Sequence, residues 1–396
     1  MERAARRSDV IVIGGGLGGL ATALALARAG REVTVVESRG AAPRADAWGL
    51  LLWPPGTRCL DWLGVLDQVL AAGSPLSEFQ WFTTDGRTHL RIDLPALGAG
   101  RFLGVLPSRL DGALRRAAEA HGAGVRDGVS EWSAEHDGRR WVVRLQSEVG
   151  AAAVTAPLLV GADGASSRVR EVLGLAASRW RPRSQAVVTG VGGPSDLAGS
   201  RQAMGLRSSA GCVAMGDRSW LYAVTGNGPA GDEVAVIARH WTGDAATRTA
   251  LSGLERAVRV RPWSIRTPRW AVDQALVMGD AAHAMVPHFG LGGTMTLEDV
   301  PVLAEVLLGA LDSGDTSAAR LSEFQRRRAR RVAYARRVSN RWAMLMTSRW
   351  PGVRRARDAG FAWLSAHPDH LARYYLEFAS GAGVPPLPVR LRALLP

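Results

Sequence analysis

The chain contains no lysine: all 49 basic residues among its 396 are arginine. A guanidinium stays protonated and cannot replace a titratable amine, so a lysine Schiff base, a lysine general base and lysine-dependent halogenation are excluded. Cysteine is almost absent as well. Cys59 and Cys212 lie far apart without metal-ligand spacing, so no disulfide framework and no metal site is expected, and the setting reads as reduced and cytoplasmic. Long apolar runs are missing. The nearest approach, Val10 to Ala27 behind Arg3, Arg6 and Arg7, is broken by five glycines between Gly14 and Gly19, which makes a poor signal or membrane segment. There is no internal repeat and no low-complexity tract.

The net charge of +13 is concentrated. Arg320–Arg357 holds 13 arginines against the single acid Glu323. Leu321, Phe324, Val332, Ala335, Val338, Trp342 and Leu345 recur there at helical spacing, which predicts an amphipathic helix with a basic outer face. A solvated face is favoured over a membrane or nucleic-acid contact, since no aromatic-interleaved basic motif occurs elsewhere.

What is present is most legible in Ser8–Ser38. Val10–Ile13 is a short β-branched run, followed by Gly14, Gly16 and Gly19 at the spacing G-x-G-x-x-G, a helical series Leu20 to Arg28, and a second strand Glu32–Val36 ending at Glu37. The first glycine allows the tight turn, the second lets a pyrophosphate approach the backbone, and the third lets the helix pack closely on the strand. The helix N-terminus offers free N–H groups to phosphates, and Glu37 stands where a carboxylate accepts from ribose hydroxyls. This is a dinucleotide-binding unit.

Further along, Thr57–Ala71 and Arg109–His121 read as helices. Glu78–Thr83 and Thr88–Leu94 read as a hairpin through Thr84-Asp85-Gly86-Arg87, and a second turn at Asp137-Gly138 joins Val125–Glu135 to Arg140–Gln146. Period-2 patterns over Ala186–Val191, Gly211–Met215, Ser219–Thr225 and Glu233–His240 predict a mostly antiparallel sheet, with Met204, Met215, Trp220, Tyr222 and His240 as candidate substrate contacts. Helices dominate from Leu297. Two more stretches carry chemistry. Leu158–Arg170 runs from a buried strand into Asp163-Gly164, Ser167 and Arg170, and Ala275–Asp299 delivers Gly279-Asp280, then Pro287 and Gly290–Gly293 at a helix start.

Taken in order, G-x-G-x-x-G, then D-G-x-x-S-x-x-R, then G-D-A-A-H with P-x-x-G-x-G, these stretches resemble the class A FAD-dependent monooxygenases, the family of para-hydroxybenzoate hydroxylase. The resemblance spans Val10 to Asp299. It implies an α/β chain: a Rossmann-like FAD-binding domain of the GR2 type, an inserted, mostly antiparallel β-sheet substrate domain, and a helical C-terminal segment. The expected boundaries are 1–75, 101–180 and 271–320 for FAD, 76–100 and 181–270 for substrate, and 321–396 for the closing helices.

The resemblance also implies roles. Gly14, Gly16, Gly19 and Glu37 match the segment holding the ADP half of FAD, and Asp163, Gly164, Ser167 and Arg170 the motif linked to its pyrophosphate and to NAD(P)H. Asp280 matches the carboxylate on the ribityl chain. Pro287, His288 and Gly290, with Gly292 and Gly293, match the loop and helix start beside the isoalloxazine, where backbone groups act. His288 is read as either a loop-stabilising residue or a substrate contact, and His283 as structural. Arg44 through Pro55 resembles the family's R-x-x-G-x-G-I-x-L-x-P-N, with Ala47 for a glycine and Pro55 for asparagine. Pro107 stands where an arginine usually supports FAD, with Arg109 as its expected substitute, and Thr294 stands where the family often has asparagine near the flavin's pyrimidine edge.

The expected activity is transfer of one oxygen atom from O2 to an apolar aromatic or polyketide-like small molecule, by hydroxylation, epoxidation or Baeyer–Villiger oxidation. FAD would be held tightly without a covalent bond, NAD(P)H would be a transient reductant, and the protein a monomer or homodimer in secondary metabolism. A flavin oxidase, dehydrogenase or ene-reductase on the same scaffold, or a flavin-binding protein without turnover, are the alternatives.

Overall fold

The computed structural model describes residues 6–40, 46–83, 88–181, 186–193, 199–204, 209–225, 232–240, 245–348, 350–367 and 369–370. The glycine turn sits within a six-stranded sheet of order 271–272, 275–277, 158–161, 10–13, 33–36, 124–126. All neighbours are parallel except the first pair, a short hairpin. Val10–Ile13, Val33–Val36 and Leu158–Gly161 are buried along their whole length, as continuous apolar strands covered on both faces must be. The helix Leu17–Arg28 packs on this sheet and against both Pro107–Ala120 and Leu291–Ser313.

Register brings the three motifs together. Ile13 pairs with Val36 and with Gly161, and Gly161 pairs with Val277. The residues that follow these strands, Gly14, Glu37, Ala162-Asp163 and Gly279-Asp280, therefore leave the sheet along one edge. That edge holds the carboxyl ends of the parallel strands, the place where open α/β sheets bind ligands. Close packing makes two glycines obligatory. Gly14 has φ +110°, and a Cβ there would overlap the Ala162 carbonyl, while a Cβ at Gly19 would overlap the carbonyl of Gly14.

A seven-stranded sheet has the order 257–260, 186–192, 218–225, 209–215, 199–204, 78–83, 88–93, antiparallel except where Gly199–Met204 runs beside Glu78–Thr83. The hairpin Glu78–Thr83 and Thr88–Asp93 forms as expected, and its turn, 84–87, lies outside the described residues. Glu233–His240, expected as a strand, is a helix. Asp232 decides this: its carboxylate accepts from the Ala235 N–H at 3.1 Å and its carbonyl from the Val236 N–H, an N-cap that outweighs the β-branched alternation. Strands Gly199–Met204 and Ala257–Val260 were not foreseen. Thr57–Ala71 is two helices, Pro54–Trp62 and Leu66–Ala72, parted near Gly64 at φ +74°.

The basic segment forms the helices Ala318–Thr347 and Pro351–Ala366, and its charge is not confined to an outer face. Arg328 and Arg357 are buried, and Arg328 and Arg331 turn inward onto Glu298 and Asp299. Among the described residues no helix is long and apolar enough to cross a membrane. A Gly19→Ala substitution is expected to cost about 3 kcal/mol through overpacking. Gly16→Ala, whose Cβ would meet nothing within 4 Å, should leave the urea midpoint nearly unchanged, and comparing the two denaturation curves checks the assignment.

Candidate functional site

A cleft of about 550 Å³ lies at the carboxyl edge of the parallel sheet, bordered by Gly16, Leu17 and Gly18 beside Gly292 and Gly293, by Asp111, Gly164 and Asp280, and by Pro287 and Gly290. The helices beginning at Leu17 and Leu291 open onto it. Neither has a side-chain cap or an acid in its first turn, so both present unshared N–H groups and the positive end of the helix dipole. Positions 16 and 292 are open where a Cβ would stand. An elongated ligand with negative charge at two places fits such a trough.

The Glu37 carboxylate accepts from the Gly15 N–H at 2.6 Å and from the Arg39 N–H and Nε at 2.8 and 2.9 Å. Burial pushes Glu37 up, but these donors and the Arg39 charge outweigh it and hold the carboxyl below its ordinary range. Asp280 opens onto the cleft, and the protein mass around it raises its pKa, with Asp299 adding to that and His283 opposing it. Asp163 does not border the cleft. Its Oδ2 accepts from the N–H groups of Arg168 and Val169 at 2.7 and 3.0 Å, which shapes the turn so that Gly164 lines the cleft. Ser167 accepts from the Arg170 N–H at 2.9 Å. The buried Arg170 guanidinium donates to the carbonyls of Ala281 (2.7 Å) and Ala165 (3.1 Å), tying the second motif to the third rather than facing a ligand.

Two expectations are corrected. Arg109 does not replace the missing arginine, because its side chain turns to the Ala72 carbonyl and pairs with Asp217. On the helix Pro107–Ala120 it is residues 107 and 111, one turn apart, that face the cleft. Thr294 is fully buried and its Oγ1 accepts from the Trp53 N–H at 3.0 Å, so the cleft is bordered by Thr296 instead. Arg44 lies outside the described residues.

Asp299, which the sequence motifs did not single out as functional, is wholly buried beneath the Gly279-Asp280 turn. Its Oδ2 accepts from His283 Nε2 at 2.6 Å and from the Gly279 N–H at 3.2 Å, and its Oδ1 from Arg328 Nε at 2.8 Å. Burial would raise this carboxyl, yet His283 and Arg328 reverse the direction and hold it below its ordinary range. Gly279 adopts φ +55°, ψ −138°, a conformation only glycine takes readily, and the N–H clamp holds it there. His283, read from the sequence as structural, is buried against Asp299.

Beside the glycine end of the cleft lies a second cavity of about 70 Å³. Trp48, Trp53, Trp81, Trp220 and Trp342 wall it, with Phe79, Phe289 and Tyr222, and its polar members are Ser200, Gln202 and His288. Trp48, Leu51, Trp220, Pro287 and Gly290 border both spaces. Of the expected contacts Trp220 and Tyr222 are there. Met215 is fully buried and packs beneath Gly49 and Gly104 instead. His240 ends a helix and Met204 a strand, and their side chains lie outside the described residues. Trp53, Trp81, Trp342, Ser200 and Gln202 escaped sequence reading, since nothing local marks a core aromatic as a cavity wall. Phe289 sits at φ +65°, strained for a non-glycine residue, and its carbonyl accepts from Trp53 Nε1 at 2.8 Å. Burial alone lowers the pKa of His288 to about 4.

The profile of the FAD binding domain family matches residues 7–339. The chain belongs to the class A FAD-dependent monooxygenases. This monooxygenase is 30% identical over 320 residues to the 2-heptyl-3-hydroxy-4(1H)-quinolone synthase of Mycobacteroides abscessus, covering 77% of this chain and 82% of that one. It is 30% identical over 347 residues to the kynurenine 3-monooxygenase of Salinispora arenicola, covering 79% and 75%. Its fold is similar to that of p-nitrophenol 4-monooxygenase PnpA from Pseudomonas putida, with TM-score 0.81, 22% identity and coverage of 96% and 99%. It is also similar to Klebsiella pneumoniae HpxO complexed with FAD and uric acid, with TM-score 0.79, 22% identity and coverage of 95% and 97%. FAD is the cofactor, and the open glycine backbone and uncapped helix ends of the cleft fit it.

Two outcomes follow from this geometry. Asp280→Ala is expected to weaken FAD retention about tenfold or more through loss of a charge-assisted acceptor, read as flavin content after gel filtration. His288 in the folded protein stays neutral from its ordinary 6.5 down to about 4, whereas the unfolded chain protonates it over that window. Its folded pKa is depressed, so stability falls as pH drops below 6.5, by about 2 kcal/mol at pH 5. His288→Gln should remove that part of the difference between stabilities measured at pH 7 and pH 5.

Proposed function

We propose that this monooxygenase inserts one atom of O2 into an uncharged, flat aromatic or polyketide-like molecule that reaches from the cleft into the tryptophan-walled cavity. The observation that carries this reading is the shared wall of Trp48, Leu51, Trp220, Pro287 and Gly290, by which a ring in the cavity borders the glycine end of the cleft. The described lining contains no acid and no arginine, and a charged substrate group there would be desolvated without a partner. Burial raises the Tyr222 pKa, so its phenol stays neutral and acts with Ser200 and Gln202 as a hydrogen-bonding edge. The relative from Mycobacteroides abscessus is named for a hydroxylated quinolone, a flat ring system of this kind.

FAD, once reduced by NAD(P)H, supplies the oxygen activation. The chain's own contribution is position and field. We assign Gly14, Gly16 and Gly19 to the approach of the pyrophosphate and Glu37 to the adenosine ribose. Asp280 is assigned to the ribityl hydroxyls. The N–H groups at Gly292 and Gly293, with the dipole of their helix, stabilise negative charge on the reduced ring. Pro287 and His288 hold the loop between ring and cavity, and above about pH 4 His288 is neutral, with one ring N–H and one accepting nitrogen. The aromatic wall excludes water from the reacting centre. Residues 1–75, 101–180 and 271–320 serve the cofactor and 76–100 and 181–270 the substrate, and within 321–396 the helix that carries Trp342 closes the cavity, in a cytoplasmic monomer or homodimer.

The test is turnover of the FAD-loaded enzyme with NAD(P)H under isotopically labelled O2 against paired neutral and carboxylated aromatics. One labelled oxygen in the neutral products, at higher kcat/KM than for the acids, is expected. Preference for the acids, or NAD(P)H oxidation without label in any product, would overturn the reading.

A further inference from the structure

One end of the cleft wall is built from the loop 261–263, between the strand Ala257–Val260 of the large sheet and the strand Ser264–Arg266. Val260, Arg261, Pro262 and Trp263 all border the cleft. The strand Ser264–Arg266 pairs antiparallel with Ser178–Trp180, with Arg179 opposite Ile265. This pairing gathers arginines around one indole: the Arg181 Cζ lies 4.6 Å and the Arg179 Cζ 6.0 Å from the Trp263 ring centroid. Trp263 nevertheless remains 38% exposed.

The charge on this rim is not compensated locally. Among the described residues Arg179, Arg181 and Arg261 are exposed and make no ion pair. Arg170, which burial and then Arg179 both push below its ordinary pKa, lies behind them, with only Asp163 and Glu171 opposing. Elsewhere in the chain arginines of the same kind find acids: Arg259 with Glu233, Arg115 with Asp127, Arg328 with Glu298 and Asp299. Like charges held together at a cleft mouth raise the local concentration of anions there. Guanidinium groups bind phosphate by paired donors, and an exposed indole offers a flat face to a base or a nicotinamide ring.

Resting on the reading that NAD(P)H is the reductant, we propose that Arg179 and Arg181 over Trp263, with Arg261 on the cleft-bordering loop before it, form the docking rim for the phosphates of the incoming NAD(P)H. The ADP half of FAD is assigned to the Gly14–Gly19 turn, and the second G-x-G-x-x-G spacing, at 226–231, lies outside the described residues, so among the described residues the reductant's phosphates need a separate holder. The rim supplies it on the cleft that also reaches Asp280, Gly292 and Gly293, where a nicotinamide must meet the flavin. Its ligand leaves after each turnover, which suits exposed side chains rather than a buried cage.

The test uses FAD-loaded enzyme with Arg181→Gln, Arg261→Gln and the double variant, and with Arg326→Gln, an exposed arginine of the long helix, as a control for net charge. Calorimetric titration with NADP+ and NAD+ gives affinity without turnover, and anaerobic flavin reduction by NADPH and NADH gives a dissociation constant and a limiting rate. Each single variant is expected to weaken nucleotide binding about tenfold and the double variant about a hundredfold, as loss of charged hydrogen bonds does. Flavin content and the limiting reduction rate should match the parent, and Arg326→Gln should leave every reading in place. Unchanged nucleotide affinity in the double variant, with the parent reduced normally, overturns the rim alone. Lost flavin content would show that these arginines hold FAD instead. A parent that binds neither nucleotide and is reduced by neither overturns the rim together with the choice of reductant.

Discussion

The carboxylate of Asp299 holds the cofactor side of this enzyme in one arrangement. A fully buried charge is costly unless every lone pair is used, and here the Gly279 N–H, His283 and Arg328 use them. Three separated pieces of chain are thereby bound to one another: the strand end carrying Gly279-Asp280, the helix that begins at Leu291, and the long basic helix. The strained Gly279 conformation and the outward presentation of Asp280 follow from that clamp. Removing one partner leaves the others charged and dry, which is the expensive case for a buried ion pair.

A second stitch works the same way. Arg170 donates to carbonyls of Ala165 and Ala281 and so joins the loop after one parallel strand to the loop after its neighbour. The absence of lysine acquires a structural sense here. A guanidinium has five donors in a planar fork and can bridge two carbonyls or two carboxylates at once, whereas an ammonium acts as a point charge. Arg170, Arg328 and Arg331 use that geometry inward. Arg179, Arg181 and Arg261 are exposed and make no ion pair among the described residues. One residue type thus serves both framework and surface, and burial with or without a partner separates the roles.

The cavity beside the cleft has a different origin. Trp53 comes from the turn before a helix, Trp81 and Trp220 from two strands of the large sheet, and Trp342 from the long helix. Ser339, one turn before Trp342, donates to the carbonyls of Val286 and His288 at 3.1 and 2.6 Å, so the basic helix positions the loop as well as walling the cavity. These aromatics pack in edge and tilted pairs, among them Trp81 with Trp342 at 5.4 Å and Phe289 with Trp342 at 4.7 Å between centroids, the geometry that ring quadrupoles favour.

The cofactor half was legible in the chain because its requirements are local. A turn at φ +110°, a helix start without a side chain and a carboxylate at a strand end each demand a particular residue at a particular spacing, so Gly14, Gly16, Gly19, Glu37 and Asp280 stand out without any knowledge of neighbours. Where a side chain's direction depends on distant partners, the same reasoning failed. Arg109 turned to Asp217, Thr294 to Trp53 and Met215 into the core, while Asp232 made a helix of residues whose alternation reads as a strand. The residue sequence by itself determined the fold family, the cofactor and the order of the motifs. Only the tertiary structure decided which arginines became framework, which tryptophans became cavity wall, and that four strand ends meet at one edge, because those outcomes depend on register and packing between segments hundreds of residues apart.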